Sequence, residues 1–166
     1  MLYCHHGYDI AGTYLGEPVE GLVVIETMWG NEHYTDTWFT QSRVGHWASF
    51  GIVYDDGTSE YGQFLCGEFG ATGAVVTDNT GRETLCTANI RVDRGEGGDL
   101  RYEFDNGETW EFTADPRTVQ RFGEDDDSTV LVFGSCARVD EKRTVVRSTG
   151  TYFIARRLPD PRADVT

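Results

Sequence analysis

The sequence predicts an all-β fold, an antiparallel up-and-down β-barrel of about eight to nine strands with at most one short helix. Strand-like runs alternate with turn signals along nearly the whole chain, and its 20 glycines suit tight turns and sharply bent strands. No segment shows sustained helical periodicity. Closure removes the exposed edges of so long a sheet, and a barrel of about eight strands can hold side chains or one small ligand.

The strand-forming segments follow one another between turn signals in this order: 21–29, 45–70, 72–93, 100–112 and 129–158. Asn-Gly and Asp-Gly pairs favour tight hairpins because their central residues readily adopt positive φ. The predicted hairpin turns are Asp56-Gly57, Asn79-Thr80-Gly81, Asn106-Gly107 and the segment DEKR at 140–143. The stretch 114–128 is predicted to be a loop, with a short helix beginning at Asp115-Pro116 as the alternative.

Length and charge bound the class of protein. With 166 residues the chain is predicted to form one barrel domain over 1–158, followed by a flexible tail at 159–166. The net charge of −14 argues against nucleic-acid binding, which needs clustered Lys and Arg. No apolar run approaches the ~20 residues of a membrane helix. The N-terminus lacks a basic residue followed by an apolar core, so we expect a cytoplasmic protein.

Sequence motifs give no reason to expect a cofactor or a metal. The four cysteines, Cys4, Cys66, Cys86 and Cys136, contain no CxxC pair. We expect reduced thiols that pack as small hydrophobes, with one or more disulfides as the alternative. The acidic run GEDDDS at 123–128 lacks the spacing of a calcium loop and is predicted to be a solvated turn. Motifs of phosphate-binding loops, esterases and zinc proteases are also missing.

Glu26 interrupts the apolar strand GLVVIETMW. Alternation places Leu22, Val24 and Met28 on the same face as Glu26, and the other face is also apolar. A carboxyl group in such surroundings needs a partner or has a raised pKa, which is the setting of a general acid or base. The alternative is that Glu26 faces water near the barrel rim or pairs with an arginine on a neighbouring strand.

The histidines give weaker signals. His33 lies beside acidic residues and is a candidate catalytic base, with an exposed loop residue as the alternative. His46 lies on the next strand and is predicted to be a hydrogen-bonded barrel histidine. The pair His5-His6 is predicted to be plain terminal sequence rather than a weak metal site.

Aromatic residues crowd the first half of the chain. We predict that they wall a substrate-binding cavity with few polar groups, the usual design of a small-molecule site. The alternative is that they simply fill the barrel interior. The candidate substrate-binding residues are Trp29, Trp38, Trp47, Phe50, Tyr54, Tyr61 and Phe64.

Three segments together resemble one half of the carotenoid 1,2-hydratase/AttH-like lipocalin-like family: GTYLGEPVEGLVVIETMWG (12–30), GHWASFGIVYDDG (45–57) and YGQFLCGEFGATGAVVTDNTG (61–81). Trp29 and Gly30 match the Trp-Gly of the family motif. Where that motif has Asp-His, this chain has Glu26-Thr27, so the acid is kept and the histidine is absent. The resemblance implies a lipocalin-like barrel and chemistry on apolar molecules.

Three functions are compatible with these patterns. The first is a cofactor-free hydratase, isomerase or cyclase, in which Glu26 and His33 act on a hydrophobic polyene- or polyketide-like molecule inside a barrel cavity. The second is a non-catalytic, lipocalin-like binder of a hydrophobic small molecule. The third is a filled barrel that serves as an interaction domain. The chain has room for one barrel, so a tandem arrangement like that of the family would require a homodimer.

Overall fold

The computed structural model describes residues 2–29, 44–67, 72–122 and 129–155, and these ranges form twelve β-strands. All strand pairs are antiparallel. In chain order the strands are β1 (Leu2–Tyr14), β2 (Glu17–Trp29), β3 (Val44–Tyr54), β4 (Ser59–Gly67), β5 (Gly73–Asp78), β6 (Glu83–Thr87), β7 (Ile90–Arg94), β8 (Leu100–Phe104), β9 (Thr109–Ala114), β10 (Gln120–Phe122), β11 (Thr129–Arg138) and β12 (Val145–Ala155).

Ten strands form one sheet, and nine of them follow one path that is nearly closed into a barrel, which confirms the predicted fold class. The order is β6-β5-β4-β3-β12-β11-β9-β8-β7, and β10 pairs with β11 beside this path. Since every neighbour is antiparallel, the two edge strands β6 and β7 run in the same direction. Two side chains near these edges bond to the turn after β8: Thr87 Oγ1, at the end of β6, and Asn89 Nδ2, before β7, donate to the carboxylate of Asp105 at 2.8 and 2.9 Å.

The predicted turns are present. Gly57, Gly81 and Gly107 have φ values of 80°, 80° and 86°, a region that glycine enters without steric cost. In the segment expected to be a loop, one 3-10 turn spans Pro116–Thr118, and Asp115 caps it by accepting a hydrogen bond from the backbone N–H of Arg117. The sequence 123–128 and the tail from 156 onward lie outside the described residues.

The N-terminal segment corrects one expectation from the sequence. Residues 2–14 form strand β1, and the pair His5-His6, expected to be plain terminal sequence, lies opposite Glu26 and Ile25 of β2. The connecting turn contains Leu15 at φ 51° and Gly16 at φ 88°. A leucine with positive φ is uncommon. The turn also lacks the Asn-Gly or Asp-Gly pair found in other hairpins of this chain, so its sequence does not predict a hairpin.

The β1–β2 hairpin lies against the outside of the barrel. Its Gly7 approaches Tyr61 of β4 so closely that the tyrosine ring occupies the space where a side chain at position 7 would lie. At the other side of the hairpin, Arg147 of β12 forms ion pairs with Asp9 at 3.6 Å and with Glu20 at 3.2 Å. The barrel wall beneath the hairpin is therefore covered on its outer face.

Aromatic side chains fill the middle of the barrel. Phe64 lies at the centre of this cluster, with ring centroids 4.9 Å from Phe50, 4.7 Å from Tyr102 and 5.0 Å from Phe104. The Phe50 ring also packs 5.0 Å from the fully buried Trp110. Tilted and edge-on arrangements at these separations stabilise beyond simple area burial. The interior is therefore a packed core along most of its length.

A buried ion cluster, here called the closed-end cluster, seals the barrel where β3 ends and β4 begins. Glu60 is only 2% exposed, and its Oε2 accepts a hydrogen bond from the Tyr54 hydroxyl at 2.6 Å. Its Oε1 lies 3.3 Å from Arg138 and 3.4 Å from Arg143. The Arg143 guanidinium also stacks over the Tyr54 ring at 3.6 Å. Two cations and one hydroxyl thus compensate a desolvated carboxylate.

His46 is the hydrogen-bonded barrel histidine that the sequence predicted. Its Nε2 forms a 2.7 Å hydrogen bond with the Tyr102 hydroxyl, and its ring packs against Tyr152. Burial, with a smaller effect from the positive charge of Arg94, lowers the pKa of His46 from 6.5 to about 4. The imidazole is therefore neutral in the core at neutral pH.

We predict that Glu60→Ala lowers the free energy of unfolding by about 3 kcal/mol, because it removes the buried acceptor that the Tyr54 hydroxyl, Arg138 and Arg143 share. Among the described residues, the two arginines then keep only their more exposed acidic partners, Glu108 and Glu141. Urea denaturation measures the loss. Glu103→Ala is the control, since Glu103 pairs with Arg91 on the surface and its loss should cost no more than about 1 kcal/mol. Equal losses in the two variants would contradict the role assigned to the closed-end cluster.

We also predict a pH dependence that comes from His46. The unfolded chain takes up this proton near pH 6.5 and the native barrel only near pH 4, so stability is lost as the pH falls through that window. The loss amounts to about 3 kcal/mol for a shift of this size. Urea titrations across the window should show a shallower decline for His46→Gln than for the wild type. Parallel declines would show that His46 does not titrate as described.

Candidate functional site

A cavity of about 270 Å3, here called the outer pocket, lies between β2 and the outer face of the barrel. Its wall residues on β3, β11 and β12 are the outward-facing ones, since they alternate with the buried core positions on the same strands. Most of the lining is aliphatic or aromatic. The lining residues are Val24, Glu26, Trp47, Ser49, Leu131, Thr151 and Phe153.

Glu26 supplies the carboxyl group of the outer pocket. Its Oε1 accepts a hydrogen bond of 2.7 Å from the Ser49 hydroxyl and a longer one of 3.4 Å from the Gln63 side-chain amide. Both donors are buried, at 5% and 8% exposure, so the wall that holds the carboxyl group is fixed by strands β3 and β4. The carboxyl group thus has neutral hydrogen-bond donors in the wall below it.

The contacts of β2 show which of its two faces packs against the barrel. Leu22, Val24 and Glu26 face the barrel wall, and Leu22 packs over Gly51. Ile25, on the other face, is 48% exposed. The strand therefore has the two apolar faces that its sequence predicts, but the face with Glu26 covers the outside of the barrel and does not look into its interior.

The outer pocket brings together two of the predicted site residues, Glu26 and Trp47. Trp29 is the last residue of β2, opposite Leu2. The candidate base His33 and the candidate wall residue Trp38 lie outside the described residues.

Phe50, Tyr54 and Phe64 are not in the outer pocket. They face inward on β3 and β4 and belong to the packed core, which is the alternative that the sequence left open for them. Tyr61 faces outward but packs against Gly7 of the hairpin. Alternation explains the separation, because Trp47 and Phe50 lie an odd number of positions apart on one strand.

A second cavity of about 310 Å3 lies at the barrel end where β7 turns into β8, and we call it the mouth cavity. Its polar side chains among the described residues are Arg94, Asp99, Arg121 and Tyr152. Sequence reasoning did not single out these residues. The sequence did contain one relevant pattern: Ile90, Val92 and Arg94 alternate along β7. They therefore share one face of the strand, and the arginine follows two apolar residues on the inward-facing side.

Cys66, Cys86 and Cys136 are free thiols, and burial raises the pKa of Cys66 to about 12. No group of three or more His, Cys, Asp or Glu side chains within the described ranges could hold a metal ion. Nor do these ranges contain a helix with the length and apolar character needed to span a membrane.

The outer pocket can hold a small apolar molecule and offers it one carboxyl group as hydrogen-bond acceptor or proton carrier. The mouth cavity offers cationic groups instead. Comparison with known proteins adds no assignment to either cavity: no protein-family model, no curated protein and no solved structure matches this chain.

Proposed function

We propose that this protein binds a hydrophobic small molecule in the outer pocket, with the Glu26 carboxyl group as its polar anchor. The observation that carries the proposal is a carboxyl group held by Ser49 at 2.7 Å in a cavity whose other walls include Val24, Leu131 and Phe153. Small-molecule sites commonly combine apolar walls with a few fixed polar groups.

The size of the outer pocket limits the ligand. Its volume of about 270 Å3 lies at the lower end of the range of ~300–1000 Å3 found for ligand sites. A ligand of this class is a small terpene alcohol or a comparable ring compound, or one end of a longer chain. Its hydroxyl or amine would donate to Glu26, and its hydrocarbon body would displace water from the apolar walls.

Catalysis at the same carboxyl group is the second candidate function. The observation that favours it is the placement of Glu26 beside the apolar walls and Trp47, where proton transfer to or from a bound molecule would be shielded from water. A cofactor-free hydratase, isomerase or cyclase acting on a polyene-like substrate would use Glu26 in this way. The resemblance to the carotenoid hydratase family supports the same chemistry.

The binding proposal predicts that Leu131→Asp weakens binding of the neutral fluorescent probe N-phenylnaphthylamine about tenfold or more, because it places a carboxyl group in an apolar wall of the pocket. Fluorescence titration measures the affinity. Phe133→Asp is the matched control, since Phe133 is the next outward-facing residue of β11, is 41% exposed and does not line the pocket. Unchanged affinity in Leu131→Asp would show that the probe does not bind in the outer pocket.

A second arm of the same experiment separates binding from catalysis. Geraniol, a small diene alcohol, is incubated with the protein in heavy water, and mass spectrometry follows deuterium bound to carbon. Turnover by Glu26 predicts incorporation that Glu26→Gln abolishes while N-phenylnaphthylamine still binds. Recovery of unlabelled geraniol from the wild type would favour a binder over an enzyme acting on this substrate class.

We further propose that the chain forms a homodimer through the uncovered face of the β1–β2 hairpin. Tyr8, Ile10 and Ile25 lie on that face and are 43% to 48% exposed, and Tyr14 is 69% exposed. Direct pairing across the ladder puts these positions on one side of the two-stranded sheet. A contiguous exposed apolar surface is a common mark of a protein interface, and a two-fold axis would let the same face serve both copies.

The dimer proposal predicts that Ile10→Glu converts the dimer to a monomer, since it places like charges across the two-fold axis. Light scattering across a micromolar concentration range gives the mass. Val139→Glu is the control, because Val139 is an exposed apolar residue after β11, at 43% exposure, and its backbone N–H bonds to the Thr109 carbonyl of β9. A monomeric mass for the wild type over the whole range would contradict the proposal.

A further inference from the structure

Arg94 occupies an inward-facing register position at the end of β7. It lies opposite Leu100 of β8, and Val92 lies opposite Tyr102. Directly opposed residues share a face of the sheet, and Leu100 and Tyr102 are both buried core residues. The side chain of Arg94 therefore begins on the inner face of the barrel wall, although its position at the rim leaves it exposed.

Arg121 reaches the same space from the other side of the mouth. In the ladder between β10 and β11 it lies opposite Val130, which has the same parity as the buried Val132. Arg94 and Arg121 both line the mouth cavity. Two short strands that are distant in the sheet thus bring one guanidinium group each to a single cavity.

Neither arginine forms an ion pair or a side-chain hydrogen bond within the described ranges. Other arginines of these ranges, such as Arg138 and Arg143 in the closed-end cluster, do have acidic partners. Asp99 also lines the mouth cavity, and its Oδ1 accepts a hydrogen bond from the Ala114 backbone at 2.9 Å, so two guanidinium groups and one carboxylate line the cavity. In a chain of net charge −14, two arginines that have no acidic partner among the described residues make one cavity locally cationic.

The part of the mouth cavity nearest the core is apolar, and a hydrogen bond holds the turn that covers it. Val132 and Ile154 are buried residues that line it, and Leu100 lies beside them. The Tyr152 hydroxyl donates a 2.7 Å hydrogen bond to the Gly98 carbonyl, which holds the β7–β8 turn over the cavity. Gly98 has a φ of 99°, and a side chain there would press against the Tyr152 hydroxyl, so the turn depends on glycine at this position.

We propose that the mouth cavity is a second binding site, for a small amphipathic carboxylate. The carboxylate group would lie between Arg94 and Arg121, and the hydrocarbon part would pack on Val132 and Ile154. Guanidinium groups suit this role because they stay charged and donate paired hydrogen bonds to carboxylates. The site is separate from the outer pocket, whose described lining residues include a carboxyl group and no cation.

The test compares octanoate with octanol, a pair that differs in the charged head group and shares the chain length. Both are titrated into methyl-labelled protein, and the chemical shifts of Val132 and Ile154 report binding at the mouth cavity. We expect octanoate to bind about tenfold more tightly than octanol. We also expect Arg94→Gln and Arg121→Gln each to reduce this preference severalfold, and the double variant to abolish it.

Arg91→Gln is the matched control. Arg91 belongs to the same strand as Arg94 but pairs with Glu103 on the outer surface, so octanoate affinity should be unchanged in this variant. Equal affinity of the wild type for octanoate and octanol would overturn the proposal. So would octanoate-induced shifts confined to Val24 and Leu131 of the outer pocket. Neither result depends on whether the outer pocket binds its own ligand, because the two sets of methyl groups report separately.

Discussion

The ladder between β12 and β3 is the constraint on which both cavities depend. It joins the two ends of the meander and sets Gly150 opposite Phe50 and Tyr152 opposite Ala48. Because side chains alternate along a strand, this register fixes which residues of both strands face the core. A slip by one position would turn Phe50 out and Trp47 in, and would remove both the aromatic core and the wall of the outer pocket.

Because the core is filled, the cavities that could hold a ligand lie at the edges of the barrel. The aromatic rings around Phe64 and the closed-end cluster around Glu60 leave the described cavities at the mouth and on the outer face. The two cavities have opposite chemistry. One offers the carboxyl group of Glu26, and the other offers the guanidinium groups of Arg94 and Arg121, so the two proposed sites would suit ligands with different head groups.

Much of the fold could be predicted from the sequence because its local signals agree with its global structure. The Asn106-Gly107 turn and the alternating strands on either side of it specify a hairpin without tertiary information. Strand β1 was missed for a physical reason. Its turn contains Leu15 at φ 51°, a conformation stabilised by thirteen paired positions along the hairpin rather than by the preference of the turn residues.

The candidate site was less predictable. The sequence identified Glu26 as a carboxyl group among apolar residues, but both faces of β2 are apolar, so local patterning could not say which one meets the barrel. Arg94 was missed because a single charged residue at the end of a short strand resembles an ordinary turn residue. Its inward orientation follows only from the pairing of β7 with β8, which is a tertiary fact.

The most direct test of the central claim is an NMR measurement of contacts between bound N-phenylnaphthylamine and the methyl groups of the protein. Binding in the outer pocket predicts intermolecular nuclear Overhauser effects to Val24 and Leu131, which line that pocket. Effects confined to Val132 and Ile154, which line the mouth cavity, would instead place the hydrophobic ligand inside the barrel end. That result would contradict the role assigned here to Glu26 and the hairpin.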